Sequence, residues 1–215
     1  MPGLIITVAQ QKGGSGKTTV AAHLAVAFAR GGKSVGILDV DPQGSLGEWF
    51  ERREQALGED GVGLSFRTAS GWGARREAKQ LARDNDVVVV DTPPKSDLEI
   101  RPAIEMADLV IVPVQPTPVD LWATTPTLEM AAKERTGSLI VINRAISRAL
   151  LTAEMIAAAG ELGHAIAESH LGNRVAYPQS MGEGRTVLET AAGSTAAEEV
   201  AALAREVMKH AGRKR

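Results

Sequence analysis

The sequence predicts a doubly wound α/β fold, a mostly parallel sheet with helices on both faces. Three observations predict it. Short apolar runs rich in β-branched residues alternate with longer amphipathic stretches from end to end. The runs are nearly continuous in apolar character, as strands covered on both faces require. Aromatic residues are only 3% of the chain, so Ala, Val, Leu and Ile must fill the core.

Residues 4–9, 35–38, 87–90, 109–114 and 139–142 are too short for helices and read as buried strands. Residues 17–30, 45–57, 74–83, 98–106, 121–133 and 153–162 read as amphipathic helices between them, and 198–210 as a C-terminal helix. Residues 58–73 are rich in Gly and charge, and there loops surround one short strand at 64–69. A length of 215 residues fits one domain, and no repeat or low-complexity linker divides it. No helix-turn-helix domain is expected ahead of the first strand. In such a fold ligands sit at the carboxyl ends of the strands, so the segments that follow the apolar runs are where chemistry is expected.

The first of these segments is Lys12-Gly13-Gly14-Ser15-Gly16-Lys17-Thr18, between a strand and a helix. Glycines let backbone N–H groups approach an anion, and the positive end of the following helix adds to the cradle. Lys17 can reach the β- and γ-phosphates of a nucleotide, and the Thr18 hydroxyl can coordinate Mg²⁺. The common phosphate-loop pattern wants Gly at position 11, where this chain has Gln11, and a second lysine, Lys12, opens the loop.

The second strand ends in Asp39-Val40-Asp41-Pro42-Gln43, with two carboxylates one residue apart pointing roughly the same way. On the residues alone, Asp41 or Ser45 also suits an N-cap for the next helix. Asp91 closes the run Val87-Val88-Val89-Val90 and precedes Thr92-Pro93-Pro94. A carboxylate at the end of a buried strand is costly without compensation, and a Mg²⁺ shell reached through water would supply it.

The loop sequence Lys-Gly-Gly-Ser-Gly-Lys-Thr resembles the deviant Walker A signature of the ParA/MinD family of ATPases. The Asp39-x-Asp41-Pro-Gln segment resembles the family's switch I, and Asp86 to Pro94 its Walker B strand and switch II. The resemblance extends through Val-Pro-Val-Gln-Pro116-Thr-Pro118-Val-Asp120 and loosens after Asn143. It implies an ATP-hydrolysing, Mg²⁺-dependent enzyme, with Lys12, Gly13, Gly14, Ser15, Gly16, Lys17, Thr18 and Thr19 contacting the nucleotide. It further implies that Lys12 acts in trans on the ATP of a partner subunit, within a nucleotide sandwich homodimer. Asp41 would position the attacking water, and Asp39, Asp91 and Thr18 would serve the metal. Asn143 would contact adenine, the Pro-rich stretch would line the dimer interface, and Arg174 to Pro178 with Gly184 to Glu189 would close over the nucleotide.

Composition narrows the branch. No cysteine is present, which excludes a disulfide framework, a thiolate metal site and an iron–sulfur cluster. With 24 basic and 26 acidic residues the net charge is −2, so contact with nucleic acid must come from a local patch. The tail offers Lys209, Arg213, Lys214 and Arg215, with Arg144, Arg148 and Arg174 as possible additions; a solvated helix end explains the tail equally well. Val200, Leu203, Val207 and Met208 suit the packing stripe of a helix on the sheet better than membrane insertion. The sequence reading is therefore a short ParA-type partition or positioning ATPase that binds DNA non-specifically with a ParB-like or other stimulating adaptor. It would be cytoplasmic and nucleoid-associated, moving a plasmid, chromosome or protein cargo. A MinD-like membrane regulator and a metabolic P-loop enzyme that transfers phosphate are the alternatives.

Overall fold

The computed structural model describes residues 2–71, 73–94, 97–146, 150–161 and 163–212. Seven strands form one sheet: β1 (Leu4–Val8), β2 (Val35–Asp39), β3 (Ser65–Thr68), β4 (Val87–Asp91), β5 (Leu109–Val114), β6 (Gly137–Ile142) and β7 (Ala165–Ile166). Their order is β3-β2-β4-β1-β5-β6-β7, and every adjacent pair is parallel. Strands numbered 2 to 4 lie on one side of β1 and strands 5 to 7 on the other. The connections therefore reverse direction at β1, and the crevice beyond its carboxyl end is the topological switch point.

Alternation along the strands divides the core into two layers. Ile6, Val8, Val87, Val89, Leu139 and Val141 face α1 (Lys17–Arg30), α2 (Ser45–Leu57) and the C-terminal α10 (Thr195–Ala211). On the other face Leu38, Val88 and Val90 meet α3 (Gly73–Asp84). Val110, Val112 and Ile140 there pack with residues of α4 (Asp97–Glu105) and α6 (Thr125–Lys133). Helix α1 lies against the middle of the sheet and buries Val20, Ala21, Leu24, Ala25 and Phe28. In α10, Val200, Leu203 and Val207 are buried against the first layer, the packing stripe expected of them.

The helix expected over 121–133 is two helices, α5 (Pro118–Trp122) and α6, separated at Ala123 and Thr124. Pro126 lacks the N–H that would bond to the Trp122 carbonyl, so a continuous helix cannot form across it. Thr117 caps α5, its hydroxyl accepting from the Asp120 N–H at 3.2 Å. The C-terminal helix begins three residues earlier than expected because Ser194 caps it, accepting from Ala197 N–H at 3.3 Å. Beyond α7 (Leu150–Glu161), β7, α8 (Ala176–Gly182) and α9 (Val187–Thr190) are not legible in the sequence as elements; each is shorter than eight residues. No helix among the described residues is long and apolar enough to cross a membrane.

Candidate nucleotide site

The loop after β1 runs into α1 through Gly16, which adopts φ 90° and stands at the N-cap. No side chain caps this helix and no acidic residue occupies its first turn, so the N–H groups at its positive end are open to an anion. Gly16 is the position where only glycine fits: a Cβ there would lie 2.3 Å from the Asn143 amide nitrogen. Cβ atoms built on Gly13 and Gly14 meet nothing within 4 Å, so the loop borders open space at both.

Three hydrogen bonds hold the loop in shape. Asn143 Nδ2 donates to the Ser15 carbonyl at 2.8 Å, Gln115 Nε2 donates to the Gly14 carbonyl at 3.0 Å, and the Lys12 N–H donates to Gln10 Oε1 at 3.4 Å. Gln10 is itself fixed by Thr124, to whose hydroxyl it donates at 3.2 Å. Gln115 lies in the Val-Pro-Val-Gln segment that resembles the family, whereas nothing in the sequence marks Gln10 except that it is a polar residue just past an apolar strand.

Lys17 is buried at 8% exposure and makes no ion pair among the described residues. Burial lowers its pKa, while the charges of Asp91 and Asp41 work to raise it. Ser15 Oγ is buried with no hydrogen-bond partner among the described residues. An ammonium and a hydroxyl held under an open ring of backbone N–H groups match a phosphate ligand.

The acidic residues converge as the strands dictate. Asp39 and Asp91 are paired in the β2–β4 register, and Val8 of β1 pairs with Asp91, so both carboxylates end their strands at the level of the loop. Asp91 is fully buried and burial pushes its carboxyl up to about 7. Its Oδ2 accepts the Thr18 hydroxyl at 2.6 Å, and its Oδ1 accepts from Thr92 N–H at 3.1 Å. Asp39 accepts from the N–H groups of Asp41 and Gly47, both at 3.0 Å, and burial raises its pKa as well. Asp41 is half-buried and accepts from Gln43 N–H at 2.9 Å in a local turn. It caps no helix: the N-cap of α2 is Gly44, with no side-chain cap.

This donor set fits a hydrated Mg²⁺. Among the described residues no three carboxylates or imidazoles gather, which excludes an all-protein cage and matches an ion held largely by water and phosphate. Thr18 gives its hydrogen to Asp91 and leaves a lone pair for a cation, and a nearby divalent charge would bring the raised Asp91 and Asp39 carboxyls back to their ionised forms.

Lys12 stands at the rim, its side chain 34% exposed, and its ammonium is 2.8 Å from Asp120 of α5. Asp120 is itself buried and receives the Thr117 hydroxyl. On the other side of the loop, Gly16, Thr19, Asn143, Arg144, Tyr177 and Pro178 help to line a cavity of about 310 Å³. Asn143 thus borders the space open to a base, but its amide is already committed to Ser15 and to the Arg144 N–H.

The segment expected to close over the nucleotide divides. Arg174, Val175, Tyr177 and Pro178 line the cavity. Gly184 to Glu189 instead braces α2: Glu189 takes Arg53 bidentately at 2.8 and 3.0 Å, and the Trp49 ring nitrogen donates to the Arg185 carbonyl at 3.1 Å. Of the cations that the sequence offers for a basic patch at the C-terminal tail, Arg144, Arg174 and Lys209 lie among the described residues. Arg174 is neutralised by Glu199 at 2.6 Å, and Lys209 shares a recess with Glu168 and Glu206. Arg148, Arg213, Lys214 and Arg215 lie outside the described residues.

Comparison with known proteins agrees with this geometry. Residues 4–134 match the family model "ATPase MipZ". The chain is 31% identical over 211 residues to the maintenance of carboxysome distribution protein A of Halothiobacillus neapolitanus, covering 94% of this chain and 95% of that one. It is 33% identical over 147 residues to the protein ParA of Rhizobium radiobacter, covering 68% and 63% of the two chains. Among solved structures, an ATP complex of Cyanothece McdA superposes with a TM-score of 0.80 at 18% identity, covering 96% of each chain. The Pyrococcus horikoshii septum site-determining protein MinD with Mg-ADP does so at 0.77 and 23%, covering 99% of this chain and 98% of that one. The loop, the two acidic strand ends and these full-length likenesses agree, and the chain belongs to the ParA/MinD family of P-loop ATPases, among its ParA-type partition and positioning members.

Proposed function

We propose that this chain hydrolyses ATP with Mg²⁺ as a sandwich dimer that positions cargo on non-specifically bound DNA, aided by a stimulating partner protein. The observation that carries the reading is the pair of lysines with different surroundings. Lys17 is buried under its own loop and suited to its own phosphates, whereas Lys12 stands at an open rim, suited to a second subunit's nucleotide. The large apolar side chains most exposed among the described residues are Val119, Trp122, Ile146 and Val175, all beyond the carboxyl ends of β5 to β7. A second copy docking over the crevice would cover such residues.

Within the site Asp41 orients the attacking water, while the loop amides and Lys17 hold the phosphates in line. Thr18, with Asp39 and Asp91 acting through water, would hold Mg²⁺, which would supply charge neutralisation for the phosphates. The cavity beside Asn143 receives the base, with Asn143 holding the loop that forms its wall. The full-length likeness to a carboxysome distribution protein favours a protein assembly as cargo over a plasmid or chromosome. These activities would place the protein in the cytoplasm, on the nucleoid.

Sedimentation with a non-hydrolysable ATP analogue tests the reading. Wild type should dimerise, and Lys12→Ala should bind nucleotide yet stay monomeric with ATPase turnover lost. Asp41→Ala should dimerise on ATP itself and stall, with turnover down about 100-fold or more, the usual weight of a positioned base. A Lys12→Ala protein that dimerises and turns over normally would overturn the reading.

A further inference from the structure

Helix α3 carries Arg75, Arg76, Lys79 and Arg83, all exposed. At about 100° per residue these four fall within an arc of roughly 100° on one side of the helix. The adjoining side, Ala74, Ala78, Leu81 and Ala82, is buried against the sheet, and the acids Glu77 and Asp84 lie on the flank between. Glu77 is turned to Arg67 of β3, at 2.6 Å, away from the stripe. Of the four cations only Arg75 makes an ion pair among the described residues, with the half-exposed Glu105 at 3.2 Å. Together with Gln80 they line one shallow recess, which no acidic side chain among the described residues joins. On a chain of net charge −2, this is a local concentration of positive charge among the described residues.

We propose that the exposed face of α3, through Arg76, Lys79 and Arg83 with Arg75 at its edge, is the surface that holds duplex DNA by its phosphates. The inference rests on the DNA-binding reading above and replaces the C-terminal tail as its main contact. The stripe spans about 10 Å from Arg76 to Arg83, enough to meet several phosphates at one charge per about 1.7 Å of duplex. A lipid surface suits it poorly: membrane-lying helices insert bulky apolar residues beside their cations, and every apolar residue of α3 that faces away from the stripe is buried in the core. A dimer presents the stripe twice on one polyanion, so nucleotide-dependent dimerisation would control affinity.

Fluorescence anisotropy with a random-sequence duplex, Mg²⁺ and a non-hydrolysable ATP analogue tests this, with ATPase rate and melting temperature as folding controls. R76E/K79E/R83E should lose more than tenfold in affinity, with ATPase rate and melting temperature unchanged. The slope of log K against log salt should shrink by about 0.9 for each phosphate the variant no longer neutralises. R76Q/K79Q/R83Q, which keeps good helix formers, should lose less, in proportion to charge. K209E should bind within about twofold of wild type. Wild-type affinity in both α3 variants would overturn the assignment of the surface while leaving DNA binding itself intact. A wild-type protein that dimerises on the analogue yet binds no duplex would overturn the DNA reading and this inference together.

Discussion

Asp91 shows how a buried carboxylate at a strand end can weaken the protein that carries it. Its carboxylate is fully buried and is offered one hydroxyl and one N–H, so the ionised form is poorly compensated and its pKa rises to about 7. A carboxyl with a folded pKa above its unfolded value binds more protons folded, so its contribution to stability falls as pH rises from about 4 through 7. Asp91→Asn keeps the shape and the Thr18 partner without the charge. In the absence of nucleotide and metal it should melt above wild type at pH 8, by a few degrees, and the gap should close by pH 4. Thermal unfolding across that range checks it. A melting point at or below wild type at pH 8 would show the carboxylate to be well compensated without ligand.

At the scale of elements, the joint between α2 and the 184–189 segment matters most, because α2 follows the Asp39–Asp41 turn. Arg53 is 5% exposed and spends its donors on Val62, Gly184 and Glu189 carbonyl or carboxylate oxygens. Burial pushes the Glu189 carboxyl up, but Arg53 and the Thr186 N–H and hydroxyl outweigh it and hold the group below its ordinary range. The same carboxylate completes a capping box on α9. Glu189→Ala would strand the guanidinium and uncap α9, costing about 3–5 kcal/mol. Arg53→Met combined with Glu189→Gln should recover much of that loss, since no charge is then left buried alone. Urea unfolding of the single and double variants measures both. A single variant within about 1 kcal/mol of wild type would mean that water reaches the joint.

At the scale of the whole molecule, His23 links the nucleotide-side helix to the C-terminal segment. It donates from Nδ1 to the Thr19 carbonyl at 2.7 Å, accepts from the Val187 N–H at 3.2 Å on Nε2, and packs edge-on against Tyr177. Burial, which disfavours the charged imidazolium, depresses its pKa to about 4. The unfolded chain then binds the extra proton first, so the stability that His23 contributes falls as pH drops from about 6.5 to 4, by about 3 kcal/mol in all. Asp91 acts in the opposite sense over the same window, so the measurement is a difference. Stability of wild type relative to His23→Gln should decline between pH 7 and pH 4.5, and a constant difference would remove His23 from the account. The sequence by itself determined the strand–helix order, the phosphate loop and the acids Asp39, Asp41 and Asp91, because these are written in contiguous residues. Strand periodicity and a parallel register then bring the ends of β1, β2 and β4 to one level. Only the tertiary structure decided what holds and extends that site: Asn143 and Gln115 gripping the loop, Asp120 taking Lys12, and residues 184–189 bracing α2 instead of covering the nucleotide. Each joins residues more than 100 apart in the chain, set by where the helices pack on the sheet and by no local pattern.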